Sequence, residues 1–376
     1  EPLNELNFTW GTGSPSPLVN PDHFSAVFSR KINIENSGYY LISALADNGL
    51  RVYIDNKLYL DSMAYTPNQR HSRFWMDAGV HDVKVEYVES TLGARLIFNF
   101  TPAKTTYTAT QKSVHYNWKV DAPAWDVAPD NFSATFDQTQ NLNAGDYFIQ
   151  TLADDGVKVT VDGQLKINRW DYSSNNIDRA LLLGMSSGSH KIITEYHDGI
   201  KGAALFSDVV PFGNWLAYYY SNDTLSGTPD GAKVIAPTGT YGQLLEDNQT
   251  GSPLPGVIPA DHFSARYVTA KHIAAGDYVI RAGADDGIQV YIDGKLVLDR
   301  FTNGGFREDA KLIHISDNKD TKDVHWIEVR YKEASQTSKV QFYLQTYSDA
   351  KNLTTSDGWL GEIYPNENLT GDPVIL

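Results

Sequence analysis

The stretch ADDGVKVTVDG, from Ala153 to Gly163, decides the fold class of this chain. Val157, Val159 and Val161 alternate with polar residues, and this period of two places one face of a strand on a core and the other toward water. The closing Asp-Gly suits a two-residue hairpin turn, because both residue types tolerate positive φ. The stretch therefore predicts a β-hairpin that follows two adjacent aspartates.

This stretch occurs three times, since related copies begin at Ala46 (ADNGLRVYIDN) and at Ala284 (ADDGIQVYIDG). A second motif precedes each copy, as PDHFSAVF, PDNFSATF and ADHFSARY. Such internal repetition indicates tandem modules, and no stretch has a sustained helical periodicity. We predict an all-β chain of three antiparallel β-sandwich or barrel modules, followed by a C-terminal segment. The predicted bounds are 1–103, 104–212, 213–348 and 349–376.

Composition narrows the class of protein. The chain has 376 residues, a formal net charge of -15 and no cysteine. An acidic balance argues against nucleic acid and anionic membranes as partners, and no apolar run reaches the length of a membrane span. The absence of cysteine excludes disulfides and thiolate metal sites. We therefore expect a secreted protein of the cell surface or extracellular space, without membrane insertion.

The repeated motifs resemble those of the protective-antigen (PA-fourteen) domain family, a β-barrel module found in bacterial adhesins, yeast flocculation lectins, toxins and glycosidase accessory modules. The third copy matches most of the family pattern, with NWLAYYYSNDTLSGTP from Asn214 and TGSPLPG from Thr250. The first and second copies match from the DHFS or DNFS motif onward. The resemblance implies the fold more strongly than the function, because one fold serves many functions.

The paired aspartates have two interpretations. In the lectin branch of the family, the matching pair is joined by a cis peptide and chelates calcium, which in turn holds sugar hydroxyls. Calcium prefers 6–8 hard oxygen ligands, so two carboxylates would supply part of such a site. Alternatively, each aspartate is a turn residue whose carboxylate accepts backbone N–H groups. The calcium ligands implied by the resemblance are Asp154, Asp155, Asp285, Asp286 and, more weakly, Asp47, which Asn48 follows.

Other candidate residues fall into two groups. The loops after the hairpins could place Trp170 and Phe301 against a glycan. His81, His190 and His325 recur at the start of one strand, which predicts packing or hydrogen bonding. No carboxylate pair or nucleophile with a base has catalytic spacing, so we predict that the chain is not an enzyme and has no catalytic residue.

Seven Asn-x-Ser/Thr sequences are possible N-glycosylation sites. They can also arise by chance in a chain that is rich in Asn, Ser and Thr. The asparagines are Asn7, Asn99, Asn131, Asn222, Asn248, Asn352 and Asn368.

The end of the chain repeats the opening of the third module. The sequence DGWLGEIYPNENLTGDPVIL, from Asp357, resembles NWLAYYYSNDTLSGTP, and the first module has no such lead. Because an unpaired sheet edge recruits a free strand, we hypothesise that this tail completes the first module of the next copy. The proposed assembly strand contains Trp359, Leu360, Ile363 and Tyr364.

Three functions follow as hypotheses. The first is a structural or adhesive surface protein that assembles head to tail into a fibre or tandem array and binds calcium. The second is a calcium-dependent lectin whose partners are cell-surface or matrix glycans. The third is the carbohydrate-targeting segment of a larger glycosidase.

Overall fold

The computed structural model describes residues 6–63, 68–109, 113–353, 361–371 and 373–375. Antiparallel strands dominate this part of the chain, and they form open sheets rather than a closed barrel. The predicted all-β fold class is thus confirmed, in its sandwich form. The only helices among the described residues are α1 (Tyr347–Leu353) and a 3-10 turn (Lys319–Thr321). No described helix has the length and apolar character that crossing a membrane requires.

Two compact units divide the chain. The first comprises Glu1–Thr108, Val120–Ala134 and Gly199–Lys201. The second comprises Ala109–Lys119, Thr135–Asp198 and Gly202–Leu376. The first module lies in the first unit, and most of the second module and all of the third lie in the second unit.

The first module has two four-stranded sheets, in the orders β1-β8-β3-β6 and β2-β7-β4-β5. Its core contains the apolar faces of both sheets. The strands are β1 (Leu6–Gly11), β2 (Ser25–Ile34), β3 (Gly38–Ala46), β4 (Gly49–Ile54), β5 (Lys57–Ser62), β6 (Asn68–Met76), β7 (Gly79–Val88) and β8 (Ala94–Pro102).

The second module repeats this plan. One sheet has the order β10-β17-β12-β15, and in the other β14, β13, β16 and β11 are adjacent in that order. The strands are β9 (Thr106–Ala109), β10 (Val114–Lys119), β11 (Ser133–Leu142), β12 (Gly145–Asp154), β13 (Gly156–Val161), β14 (Gln164–Arg169), β15 (Asn176–Met185), β16 (Gly188–His197) and β17 (Ala203–Pro211).

The third module has two six-stranded sheets, β19-β18-β21-β26-β23-β24 and β20-β27-β22-β25-β29-β28. Its strands are β18 (Trp215–Tyr220), β19 (Gly231–Ile235), β20 (Leu244–Gln249), β21 (Phe263–His272), β22 (Gly276–Ala284), β23 (Gly287–Ile292), β24 (Lys295–Arg300), β25 (Arg307–Ile315), β26 (Val324–Glu333) and β27 (Ser338–Thr346). The hairpin β18–β19 has no counterpart in the described part of the first module.

The tail forms two short strands, β28 (Glu362–Ile363) and β29 (Val374–Ile375). Strand β28 pairs with β29, and β29 pairs with β25 of the third module in the same chain. Of the proposed assembly strand, Ile363 lies in β28 and Tyr364 directly follows it, whereas Trp359 and Leu360 lie outside the described residues. The described part of the tail therefore extends a sheet of its own chain.

The alternating residues of the repeated stretch build the cores as the period of two predicts. Val157, Val159 and Val161 are buried in the second module, and Ile288 and Val290 are buried in the third. The Asp-Gly turn is also present, because Asp162 and Gly163 have φ of 49° and 77°. Sequence periodicity alone thus assigned the core face of this strand correctly.

One hydrogen-bonding unit, which we call the Asp–His latch, recurs in all three modules. It consists of Asp55 and His81, Asp162 and His190, or Asp293 and His325, and in each pair His Nδ1 lies 2.6 Å from an aspartate Oδ2. The other carboxylate oxygen accepts the N–H of the residue after the histidine, at 2.8–2.9 Å. The latch ties the hairpin turn to the start of the adjacent long strand. This agrees with the hydrogen-bonding role predicted for the recurring histidines.

The second and third modules share a hydrophobic core within the second unit. Leu216, Tyr218 and Tyr220 of β18 are buried against residues of β12 and β17. The opposite face of β18, with Trp215 and Tyr219, lies in the core of the third module itself. Strand β18 is therefore buried on both faces, as a continuous apolar run such as WLAYYY allows.

Candidate functional site

Each module has an acidic corner where the paired residues meet the end of a long strand. In every copy an acidic residue, Glu89, Asp198 or Glu333, stands two positions after a buried tyrosine of that strand. We define the acidic corner as this residue, its tyrosine and the paired residues. The sequence analysis did not identify the acidic residue that follows the tyrosine in each copy. The shared spacing in VEYVE, TEYHD and VRYKE could have indicated it.

In the acidic corner of the first module, a side-chain amide donates a hydrogen bond to the buried carboxylate. Asn48 Nδ2 donates a hydrogen bond of 2.8 Å to Glu89 Oε1, and the Tyr87 hydroxyl donates one of 2.6 Å to Glu89 Oε2. Both Asn48 and Glu89 are buried. The backbone N–H of Asp47, which was expected to be the weaker calcium ligand, donates to the carbonyl of Arg95 at 3.1 Å. The asparagine thus satisfies the buried carboxylate directly.

In the third module the paired carboxylates accept hydrogen bonds from neighbouring residues. Asp286 Oδ1 accepts the N–H of Gly304 at 2.8 Å, and Oδ2 accepts the N–H of Ala334 at 2.7 Å. The Thr337 hydroxyl donates to Asp285 Oδ2. This matches the turn interpretation of the paired aspartates.

Glu333 completes the corner of the third module. Its side chain is fully buried, and the Tyr331 hydroxyl donates to Oε2 at 2.6 Å. Burial, assisted by the charges of Asp286 and Asp285 and by a hydrogen bond with Asp286, raises the pKa of Glu333 to about 8. Glu333 is therefore mostly protonated at neutral pH, and its carboxyl group donates a hydrogen bond to Asp286.

The acidic corner of the second module differs from those of the first and third modules. Asp198 is one methylene shorter than the glutamates, and the Tyr196 hydroxyl donates to the backbone carbonyl of Asp154 instead. The Asp154–Asp155 peptide is cis, and it is the only cis peptide among the described residues. Burial raises the pKa of Asp154, and the Asp155 carboxylate raises it further, while Ser174 and Arg169 oppose the shift. Like charges are thus held close together in a poorly hydrated corner.

Aromatic side chains stand beside this corner of the second module. Trp170 is 45% exposed and its ring lies 4.5 Å from that of His197, while Tyr172 is 77% exposed and lies 4.9 Å from the same ring. We call these three residues the aromatic shelf. Burial lowers the pKa of His197, and the charge of Asp155 opposes this shift. Gly156, which directly follows Asp155, pairs with His197 in the sheet, so the shelf and the carboxylates are adjacent. Trp170 was predicted from the sequence, whereas Tyr172 and His197 were not.

Arg169 holds the loop that carries the shelf. Its guanidinium donates to Asp178 Oδ2 at 2.7 Å, to Asp171 Oδ1 at 2.9 Å and to the carbonyl of Ala153 at 3.3 Å. The last contact ties the loop to the residue before the paired aspartates. Arg300 plays the same part in the third module, through Asp309 and the carbonyls of Ala284 and Asp286.

Phe301, the counterpart of Trp170, has different surroundings. The Lys332 ammonium lies 5.5 Å from the Phe301 ring centroid, in the position that His197 occupies in the second module. A lysine ammonium also approaches Trp170, since Lys158 Nζ lies 4.4 Å from its ring centroid. The two loops therefore share their framework and differ in the side chains they present.

The asparagines of the seven Asn-x-Ser/Thr sequences have different surroundings. Asn222 Nδ2 donates to the carbonyl of Ser226, and Asn248 Nδ2 donates to the Ser338 hydroxyl, both at 3.0 Å. Glycosylation at these two sites would displace an internal hydrogen bond. The exposed sequon asparagines are Asn7, Asn99, Asn131, Asn352 and Asn368.

A preformed metal cage is not found in the described residues. No group of three or more His, Asp or Glu side chains there has an arrangement that could hold a metal ion. Asp154 and Asp155 can supply part of a calcium shell, and the other oxygens would have to come from the backbone, from hydroxyl or amide side chains, or from a bound ligand.

Part of the chain resembles an anti-sigma factor. It is 21% identical over 233 residues to the anti-sigma-I factor RsgI3 of Acetivibrio thermocellus, which covers 51% of this chain and 36% of that protein. The chain thus spans about a third of the length of the curated relative it matches. This finding overturns the hypothesis of an adhesive fibre, which was wrong because a shared fold does not determine function.

The solved structures that resemble this chain have low sequence identity and low TM-scores. An anti-sigma factor domain-containing protein from Clostridium clariflavum is 21% identical with a TM-score of 0.26, over 56% of this chain and 91% of that one. The α-L-rhamnosidase of Streptomyces avermitilis is 9% identical with a TM-score of 0.24, over 91% of this chain and 44% of that one.

The family model of the PA14 domain matches residues 4–113 and 212–358. The matched segments contain the first and third modules and together cover more than half of the chain. The second module lies between them and repeats the same two-sheet plan and acidic corner. This chain belongs to the PA14 domain family.

Proposed function

We propose that this chain is the carbohydrate-recognition segment of a protein of the anti-sigma-factor type, and that it acts outside the cytoplasm. The observation that carries the proposal is the aromatic shelf of the second module, which stands beside the buried carboxylates of Asp154 and Asp155. The relative in Acetivibrio thermocellus supports the regulatory part of the proposal, since its name describes a protein that acts on a sigma factor.

The aromatic shelf suits a ligand with apolar faces and polar edges. Trp170 and Tyr172 expose ring surface to water, and convergent polar groups next to such surface are typical of small-molecule sites. A sugar ring has C–H faces that pack on an aromatic ring and hydroxyl edges that donate to carboxylates. Carbohydrate is therefore the ligand class that uses both parts of this site.

Calcium is the cofactor that we propose for this site. The raised pKa of Asp154 reflects a carboxylate that is poorly hydrated and adjacent to a like charge, and a divalent cation would offset both effects. Asp154 and Asp155 would hold the ion, and sugar hydroxyls would fill part of its shell. The third module is a weaker candidate, because both Asp286 oxygens already accept backbone N–H groups.

Calorimetric titration of the intact chain with a panel of plant and bacterial polysaccharide fragments tests the proposal. We expect binding by at least one fragment in calcium, and its loss in chelator. Trp170→Ala should weaken binding by about tenfold or more, a loss of about 1.4 kcal/mol, whereas the matched variant Phe301→Ala should bind normally.

Two results would contradict the proposal. If Phe301→Ala loses binding and Trp170→Ala does not, the site lies in the third module. If no fragment binds, with or without calcium, the chain does not recognise carbohydrate through this site. Binding that persists in chelator would keep the carbohydrate site and remove the cofactor.

A further inference from the structure

The carboxylate of Asp154 has a glycine on one side. Gly202 directly precedes β17, and a Cβ atom at this position would lie 3.6 Å from Asp154 Oδ2 and 3.8 Å from the carbonyl oxygen of Lys119. Because glycine has no side chain, this space next to the carboxylate is left open, and a ligand can approach the backbone closely there.

The third module has a side chain at the equivalent position. Gly202 and Thr337 correspond, because each stands three residues before the residue that pairs with Ala153 or Ala284, the alanine before the paired aspartates. The Thr337 hydroxyl donates to Asp285 Oδ2 and so covers that carboxylate. In the second module the glycine leaves the same side of the aspartate without this cover.

Gly202 also lines a polar pocket of about 230 Å³. The end of β10 and the β18–β19 loop of the third module (221–230) form its other walls. Sugar hydroxyls pair with hydroxyl, amide, ammonium and carboxylate groups, and the pocket is smaller than the about 300–1,000 Å³ that drug-sized ligands occupy. The pocket therefore suits one small polar unit. Its polar side chains are Asn117, Lys119, Ser226, Thr228 and Asp230.

The charged groups of this pocket remain available to a ligand. Lys119 Nζ lies 3.6 Å from Asp230 Oδ1, and the lysine side chain is 69% exposed. An exposed ion pair of this length contributes little to stability, so a ligand hydroxyl can replace it at low cost. Asn117 Nδ2 donates to the carbonyl of Pro229 at 3.1 Å, which fixes the loop of the third module against β10.

The same loop of the third module also holds the loop that carries the aromatic shelf. The Thr228 hydroxyl donates a hydrogen bond of 2.6 Å to Asn175 Oδ1. Asn175 directly follows Ser174, whose side chain forms a hydrogen bond with Asp154. The β18–β19 loop is thus bonded to the segment that presents both the shelf and a partner of the Asp154 carboxylate.

We propose that the third module supplies one wall of the carbohydrate site of the second module, and that the pocket beside Gly202 binds a further unit of the same glycan. This inference rests on the proposed carbohydrate function of the aromatic shelf. One sugar unit packs on the shelf next to Asp154, and the following unit passes Gly202 into the pocket. The ligand is therefore an oligosaccharide of at least two units.

The length of the bound fragment tests the proposal. The probes are cello-oligosaccharides, xylo-oligosaccharides and oligogalacturonides of one to six units, titrated into the intact chain in calcium and followed by calorimetry. In a series that binds, we expect a gain in affinity of about tenfold or more from one unit to two or three. The number of sites per chain should stay the same, because both units belong to one ligand.

Two variants locate the additional unit. Gly202→Thr introduces the residue of the third module next to Asp154, and it should remove most of the gain with length. Thr228→Val removes the hydroxyl that bonds to Asn175, and it should weaken binding of the longer fragments by about fivefold. Thr224→Val is the matched control in the same loop, because its hydroxyl bonds to Asn222 within the third module. All chains are produced in a host without N-glycosylation.

The outcomes separate this inference from the proposed function. If the gain with length survives in both Gly202→Thr and Thr228→Val while Trp170→Ala abolishes binding, the inference is wrong and the proposed function stands. Equal losses for single units and longer fragments would show that the pocket takes no further unit. If no fragment of any length binds, the proposed function fails and the inference fails with it.

Discussion

The acidic corners of the second and third modules begin from the same Asp-Asp pair and have different uses. In the third module the second aspartate accepts two backbone N–H groups and a hydrogen bond from the protonated Glu333, so its carboxylate is part of the framework. In the second module Tyr196 donates to a backbone carbonyl, and the pKa of Asp154 is raised mainly by burial. The comparison teaches that the Asp-Asp-Gly sequence marks a position in the fold, whereas the loops around it decide between support and recognition.

The largest expected effect is the loss of Asp286. Asp286→Ala leaves the N–H groups of Gly304 and Ala334 without this acceptor. The N–H of Ala334 is buried, and a buried group without a partner costs about 1–3 kcal/mol. We expect a marked fall in the free energy of unfolding, measured by urea denaturation. Asp277→Ala, an exposed partner of His314, is the control and should cost under about 1 kcal/mol. A loss no larger than that of the control would show that Asp286 is not structural.

The next effect concerns pH. The folded pKa of Glu333, about 8, lies above its ordinary value of 4.5, so the folded state binds an extra proton between these values. The stability that Glu333 contributes is complete below about pH 4.5, falls as pH rises, and is lost above about pH 8. Glu333→Gln keeps a neutral donor to Asp286 at every pH.

Melting curves across this range check the Glu333 prediction. The variant should lack this part of the pH dependence, and its advantage over the unmodified chain should be greatest near pH 9. An unchanged difference in stability from pH 5 to pH 9 would contradict protonation of Glu333. A hydrogen bond from protonated Glu333 to Asp286 would then no longer distinguish the third module from the second.

The smallest effect sharpens the comparison in the second module. Asp154→Asn removes a charge whose pKa is raised by burial, so we expect a slight gain in stability at pH 7. The same variant should lose the calcium-dependent part of carbohydrate binding, as measured by calorimetry. A variant that is both less stable and fully active would indicate that Asp154 supports the fold, as Asp286 does.

The sequence was sufficient for the strands and insufficient for the corners, for physical reasons. Alternation in VKVTVDG predicts which side chains are buried, because the pleat places successive residues on opposite faces. The partners of Asp286 are backbone groups of Gly304 and Ala334, whose direction depends on loop conformation and leaves no pattern in residue types. Likewise, Asn48 and Glu89 are far apart in sequence, so their hydrogen bond was not foreseen.

The shared core of the second unit was foreseeable in part. WLAYYY is apolar on both faces, and a strand of this kind requires cover on both sides. The sequence indicates this need without naming the partner. The structure provides it from β12 and β17 of the preceding module.

Strand β18 has a consequence for the history of the chain. One of its faces belongs to the interior of the third module, and the other forms the joint with the second. A gene duplication that copies such a module therefore also copies the face of β18 that packs on the preceding module. The new copy can then pack against a sheet like that of its predecessor. Substitutions at Leu216, Tyr218 or Tyr220 are then constrained by the packing of two modules at once. The residues between modules should therefore diverge more slowly than the loops that carry recognition.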